Sequence, residues 1–195
     1  MTRLEVIYAF VRLARPIMVR AIGRQSCIAS TRITIEVMAR FGIVAEPAPC
    51  KLIAQCDALK LVYLSGFSGK EKREMSRKAK SFTTRRHNPH DRGWCGHVVA
   101  VIENRIWLDA SLDQIHSPEH GFEIPHEMLV VLLDPKIPVP DTALEAVVDV
   151  GEHRVKIHYR PSGDFSFCDT PAWEFDAGME LIVDCIVKAI MEDLI

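Results

Sequence analysis

Residues 93–111 read GWCGHVVAVIENRIWLDAS. The apolar run His97–Ile102, a polar break at Glu103 and Asn104, and a second apolar run ending at Asp109 predict a β-hairpin. Pairing Val101 with Arg105 leaves Ile102, Glu103 and Asn104 as a three-residue loop. Its third position needs a left-handed backbone, which Asn tolerates. In that register His97 lies directly opposite Asp109, and side chains so placed share a face with Cβ atoms about 5 Å apart. A carboxylate there accepts the imidazole N–H and fixes the ring's tautomer and orientation.

An imidazole held in this way calls for a nucleophile, and residues 25–43, QSCIASTRITIEVMARFGI, offer one. The pattern predicts a helix over 26–41, with Ser26 as N-cap, Gly42 as the C-terminal stop and Cys27 opening the first turn. Arg32, Glu36 and Arg40 recur every four positions on one stripe, and apolar residues cover most of the remaining surface. Such a helix is buried on most sides. Aligned peptide dipoles at a helix N-terminus favour thiolate, the reactive form of cysteine. His97 can then carry the proton that a leaving group needs.

Cysteine on a helix, histidine on a strand and aspartate on the next strand, carried by these two segments, resembles the transglutaminase-like branch of the papain-like cysteine peptidases. The short His-to-Asp hairpin is similar to that of bacterial transglutaminase-like proteins, arylamine N-acetyltransferases and lasso-peptide leader peptidases. The likeness covers residues 25–114. It implies an α+β fold in which a central helix bearing Cys27 packs on an antiparallel sheet bearing His97 and Asp109. It also implies acyl transfer through a thioester on Cys27, with no metal and no cofactor. The backbone N–H of Cys27 is the expected oxyanion donor, Gln25 is a candidate second donor, and Trp94 is a candidate for the substrate cleft.

The rest of the chain frames this core. At 195 residues, 48% apolar and 26% charged, with a formal net charge of −2, it has the composition of one globular domain. Disordered and fibrous classes are excluded, and the global charge points to no particular partner. The predicted domain spans residues 1–195, with a core at 25–160 and a basic insertion at 65–93. Residues 4–22 form an amphipathic helix packed on the body and kinked near Pro16, since Glu5, Arg12, Arg15 and Arg20 break any membrane-spanning pattern. Further strands are expected near 43–55, 59–64, 127–133, 144–150 and 155–159. A last helix is expected to begin with Thr170 as cap and Pro171 at the first helical position, placing Cys185 in the core. Six cysteines are too few for a disulfide scaffold and are read as reduced thiols of a cytoplasmic protein.

Two other constellations compete. His87, His90, Cys95 and His97 carry nitrogen and sulfur ligands suited to zinc, but 87–90 reads as a solvated turn and a zinc ion on His97 would abolish the triad. Residues 70–92 hold nine Lys or Arg against three Asp or Glu, a local charge of +6. Without interleaved aromatics the run reads as a solvated face, a lid or a seat for an acidic segment rather than a nucleic-acid surface. Asp113 is the rival third member of the triad, on the loop after the hairpin. The expected activity is that of a cysteine peptidase or amidase on a peptide or protein carboxamide. The alternative is a non-catalytic binding protein of the same fold, or a zinc module with residues 70–92 as its interface.

Overall fold

The computed structural model describes residues 1–24, 26–76, 81–84, 94–116, 128–133 and 143–195. Helix α1 (Arg3–Ile22) opens with Thr2 as cap: its hydroxyl accepts from Glu5 N, and the Glu5 carboxylate accepts from Thr2 N at 2.6 Å. This reciprocal box satisfies two of the amides a helix start leaves unpaired. Pro16 lies inside the helix. Helix α2 (Cys27–Arg40) ends before Gly42, whose φ of 66° suits the left-handed turn that leads into the sheet.

The sheet then runs β1 (Ala45–Cys56), β2 (Leu61–Ser65), helix α3 (Gly69–Ser76), β3 (Ser81–Thr84), β4 (His97–Ile102), β5 (Ile106–Asp109), β6 (Leu129–Leu132), β7 (Leu144–Val150) and β8 (His153–Pro161). These eight strands form one sheet, almost barrel-shaped, in the order β3-β2-β1-β4-β5-β6, with β8 joining β1 to β7. All pairs are antiparallel except β2 with β3. The long strand β1 is the organiser: its first half pairs with β4, its second half with β2, and residues 50–56 with β8. Helix α4 (Ala177–Asp193) closes the chain. The architecture is therefore mixed α+β on an antiparallel sheet.

Side-chain parity along β4 and β5 divides the core in two. Ile102, Ile106, Leu108 and Ala110 face α1, α2 and α4. Val99, Val101 and Trp107 face the opposite layer with Ala48, Leu52, Ile157 and Tyr159. His97 has the parity of Val99, and Asp109 that of Trp107. Among the described residues no helix is long and apolar enough to cross a membrane.

Three expectations change. The final helix begins at Ala177, capped by the Asp176 carboxylate accepting from Met179 N at 2.8 Å, whereas Pro171–Trp173 is an isolated 3-10 turn. Thr170 Oγ1 donates to Phe167 O instead of capping, and Trp173 packs edge-on to Phe167 at 5.0 Å, so tertiary packing overrides the Thr-Pro start signal. Cys185 is exposed, because α4 turns Met179, Val183, Ile186 and Ile190 inward. The hairpin register also differs: Ala100 faces Leu108, Val101 faces Trp107 and Ile102 faces Ile106, two residues from the pairing expected. Both Glu103 (φ 52°) and Asn104 (φ 53°) are left-handed, and Arg105 N bonds back to Ile102 O at 3.0 Å.

Candidate active site

A two-residue slip preserves the face of every side chain, so His97 and Asp109 remain on one side of the sheet, as diagonal rather than direct neighbours. His97 Nε2 lies 2.7 Å from Asp109 Oδ2. The carboxylate is further held by Tyr159 Oη donating to Oδ2 at 2.7 Å, and by Ser111, whose N and Oγ donate to Oδ1 at 2.9 and 3.3 Å. Both residues are fully buried. Burial works against a charge on Asp109, but the His97 charge and these hydrogen bonds outweigh it and hold the carboxyl below its usual range.

Cys27 is the first residue of α2, and its side chain shares a hydrogen bond with His97. Two contacts set this meeting. Thr31 Oγ1 donates to Val98 O at 3.0 Å, tying α2 to the residue after His97. Ser26 occupies the cap position, yet its hydroxyl donates to Gly23 O at 2.7 Å rather than capping the helix. Burial pushes the His97 imidazole down; Asp109, by charge and hydrogen bond, and then Cys27 more than compensate, raising it to about 9. At neutral pH the ring is then an imidazolium, the partner that a thiolate requires.

The neighbouring groups are kept neutral. Cys50, whose Cα pairs with that of His97, is pushed well up by burial, then by Asp109 and Cys27. Burial, then the Asp109 carboxylate, likewise raise Tyr159 and keep it a hydrogen-bond donor. No family model, curated protein or solved structure matches the chain.

Trp94 stands beside this site. Its ring lies 5.4 Å from Phe167, its Nε1 donates to Asp164 Oδ2 at 3.1 Å, and it covers Gly96 so closely that any Cβ there would collide with the indole. With Phe167 and Trp173 it packs around Cys27, which has no exposed surface. Asp113 is not the orienting group: it is buried in an ion pair with Arg15. Gln25, His87 and His90 lie outside the described residues. Cys95 is exposed, whereas His97 is buried with both ring nitrogens engaged, Nδ1 by Gln114 at 2.6 Å. No metal-binding group of three or more His, Cys, Asp or Glu occurs among the described residues.

Four functional neighbours escape a reading of the sequence: Arg15, Ser111, Gln114 and Tyr159. The spacing of Asp109, Ser111 and Gln114 is the one local signal, since a turn after a strand brings such residues back toward its last side chains. Tyr159 carries no signal, because it is set beside Asp109 only by the β1–β8 pairing.

Proposed function

We propose that the chain is a thiol-dependent acyl-transfer enzyme with a papain-like or transglutaminase-like core, acting as a cysteine peptidase or amidase on peptide or protein carboxamides. The observation that supports this is the convergence of Cys27, at a helix start, on a His97 already oriented by Asp109. Cys27 Sγ attacks the carbonyl carbon, and the developing oxyanion is met by the Cys27 backbone N–H. His97 gives its Nδ1 proton to the departing amine, leaving a thioester and a free amine. Water then attacks the thioester carbonyl, His97 takes the water's proton, and Cys27 leaves with the acid released. Asp109 keeps Nε2–H directed and balances the imidazolium throughout.

A second reading, a binding protein of the same fold, draws support from the complete burial of Cys27, His97 and Asp109. One experiment separates the two. The folded protein is treated with a limiting amount of an amide-mimicking chloroacetamide, and the adducts are mapped. Accessibility alone would direct the label to the exposed Cys95, Cys168 and Cys185. Preferential labelling of Cys27, abolished by His97→Ala, supports the enzyme; labelling confined to the exposed thiols supports the binding protein.

A further inference from the structure

The His97 imidazole, held at Nε2 by Asp109, has a further neighbour at Nδ1. Gln114 Nε2 stands 2.6 Å from His97 Nδ1, while Gln114 Oε1 is buried without a hydrogen-bond partner among the described residues. The residue is 3% exposed, so water does not readily satisfy that oxygen. Its backbone is fixed as well: Gln114 N donates to Ser111 O at 3.0 Å, and Ser111 is the residue that holds Asp109. The end of β5 and the turn that follows it thus carry both groups that grip the imidazole, Asp109 at Nε2 and Gln114 at Nδ1.

We propose that Gln114 is a positioning residue that follows the protonation state of His97, presenting its amide N–H to a neutral ring and its carbonyl Oε1 to the imidazolium. A carboxamide offers both a donor and an acceptor within one planar group, and a half-turn exchanges them with little change of shape. Against a neutral Nδ1 the N–H end is correct. Against Nδ1–H that end would set two hydrogens face to face, and the turn that relieves this places the unpartnered Oε1 on a charged donor. A hydrogen bond to the charged form favours that form. Because the ring gives up and regains a proton in each acyl transfer, a side chain suited to both states holds it steady whenever substrate does not occupy Nδ1.

Among the described residues, other charged and titratable groups stand around the ring. Asp109 on β5 faces Nε2, Cys27 on α2 reaches the ring, and Cys50 on β1 pairs with its backbone. Tyr159 on β8 stacks at 6.0 Å, and the Asp113 next to Gln114 is paired with Arg15. The Tyr159 hydroxyl is already committed to Asp109 Oδ2 at 2.7 Å, so it does not serve Nδ1.

The role of Gln114 in turnover rests on the proposed triad, but its effect on the ring does not, and the test keeps them apart. In a Cys27→Ser background, with ring-labelled histidine, the pKa of His97 is followed by NMR. Gln114→Met, which removes the acceptor, should lower it by about one unit, tenfold in proton affinity. Gln114→Glu, which places a carboxylate at Nδ1, should raise it. A purely structural role would not move the two variants in opposite directions, and if Gln114→Met does not fold, the rise in Gln114→Glu alone decides. An unchanged or lowered pKa in Gln114→Glu overturns the inference. If the ring responds as expected while chloroacetamide ignores Cys27 in the otherwise native chain, Gln114 keeps its role and the enzyme reading fails.

Discussion

Replacing Arg15 with methionine should destabilise the protein severely although no exposed surface is touched. The guanidinium and its partner are both fully buried. Arg15 Nε donates to Asp113 Oδ1 at 3.1 Å, Nη2 bonds the same oxygen and also donates to Arg24 O at 3.0 Å, and Nη1 donates to Ser30 Oγ at 3.0 Å. Methionine retains most of the aliphatic volume, so the loss is electrostatic: the buried Asp113 loses the cation paired with it, which costs about 3–5 kcal/mol. For a domain of this size that is on the order of 10 °C in Tm. Adding Asp113→Leu removes the stranded charge, and the double variant should recover most of the loss, because a buried ion pair is often no more stable than the apolar pair that replaces it. What remains is two weakened acceptors, at about 1 kcal/mol each. Urea denaturation of the parent, both single variants and the double variant closes a thermodynamic cycle, with an expected coupling of about 4–8 kcal/mol, because each single variant keeps one buried charge without the other and the double variant keeps neither. A coupling below about 0.5 kcal/mol, or an Arg15→Met as stable as the parent, would refute the reasoning. By the same geometry Asp113→Asn is not a silent loop substitution, because it removes the carboxylate charge paired with the buried Arg15.

Asp109→Asn should leave the fold standing yet reduce thioester formation by about two to four orders of magnitude, since an amide can favour the wrong tautomer and cannot balance the imidazolium; parent-like acylation of Cys27 in a stopped assay would contradict it. Stability should also depend on pH through the His97–Asp109 pair. His97 is raised to about 9, so its contribution is complete below about pH 6.5, declines between there and 9, and is lost above. Asp109 is lowered, so its contribution is present above about pH 4 and fades as the pH falls below that. Urea midpoints between pH 6 and 10 should fall in the parent and stay nearly level in His97→Gln.

The core was legible where one pattern had one physical solution. An apolar strand of six residues closed by a polar break is a hairpin in any register, and the slip of two left His97 and Asp109 on a shared face. The register itself was not legible, because it depends on Glu103 adopting a left-handed backbone, which its side chain does not announce. Thr170 and Pro171 gave a sound local start signal that lost to the packing of Trp173 against Phe167 and against the Arg32 guanidinium, 5.2 Å above its ring. Arg15 looked like an interruption of an apolar helix. Its meaning lies in Asp113, 98 residues away, and local periodicity cannot reveal such a pairing.

The aromatic cover over Cys27 sets a kinetic condition. A sulfur with no exposed surface reacts only in the fraction of molecules in which Phe167 and its neighbours have moved aside, so the observed rate is the intrinsic rate multiplied by that fraction. Each 1.4 kcal/mol of opening free energy lowers the rate about tenfold without altering the chemistry at the sulfur. Closure also shields the thiol from oxidants, which meet the exposed Cys95, Cys168 and Cys185 first. Loosening that cover would therefore raise the reactivity of Cys27 and its susceptibility to oxidation by the same factor.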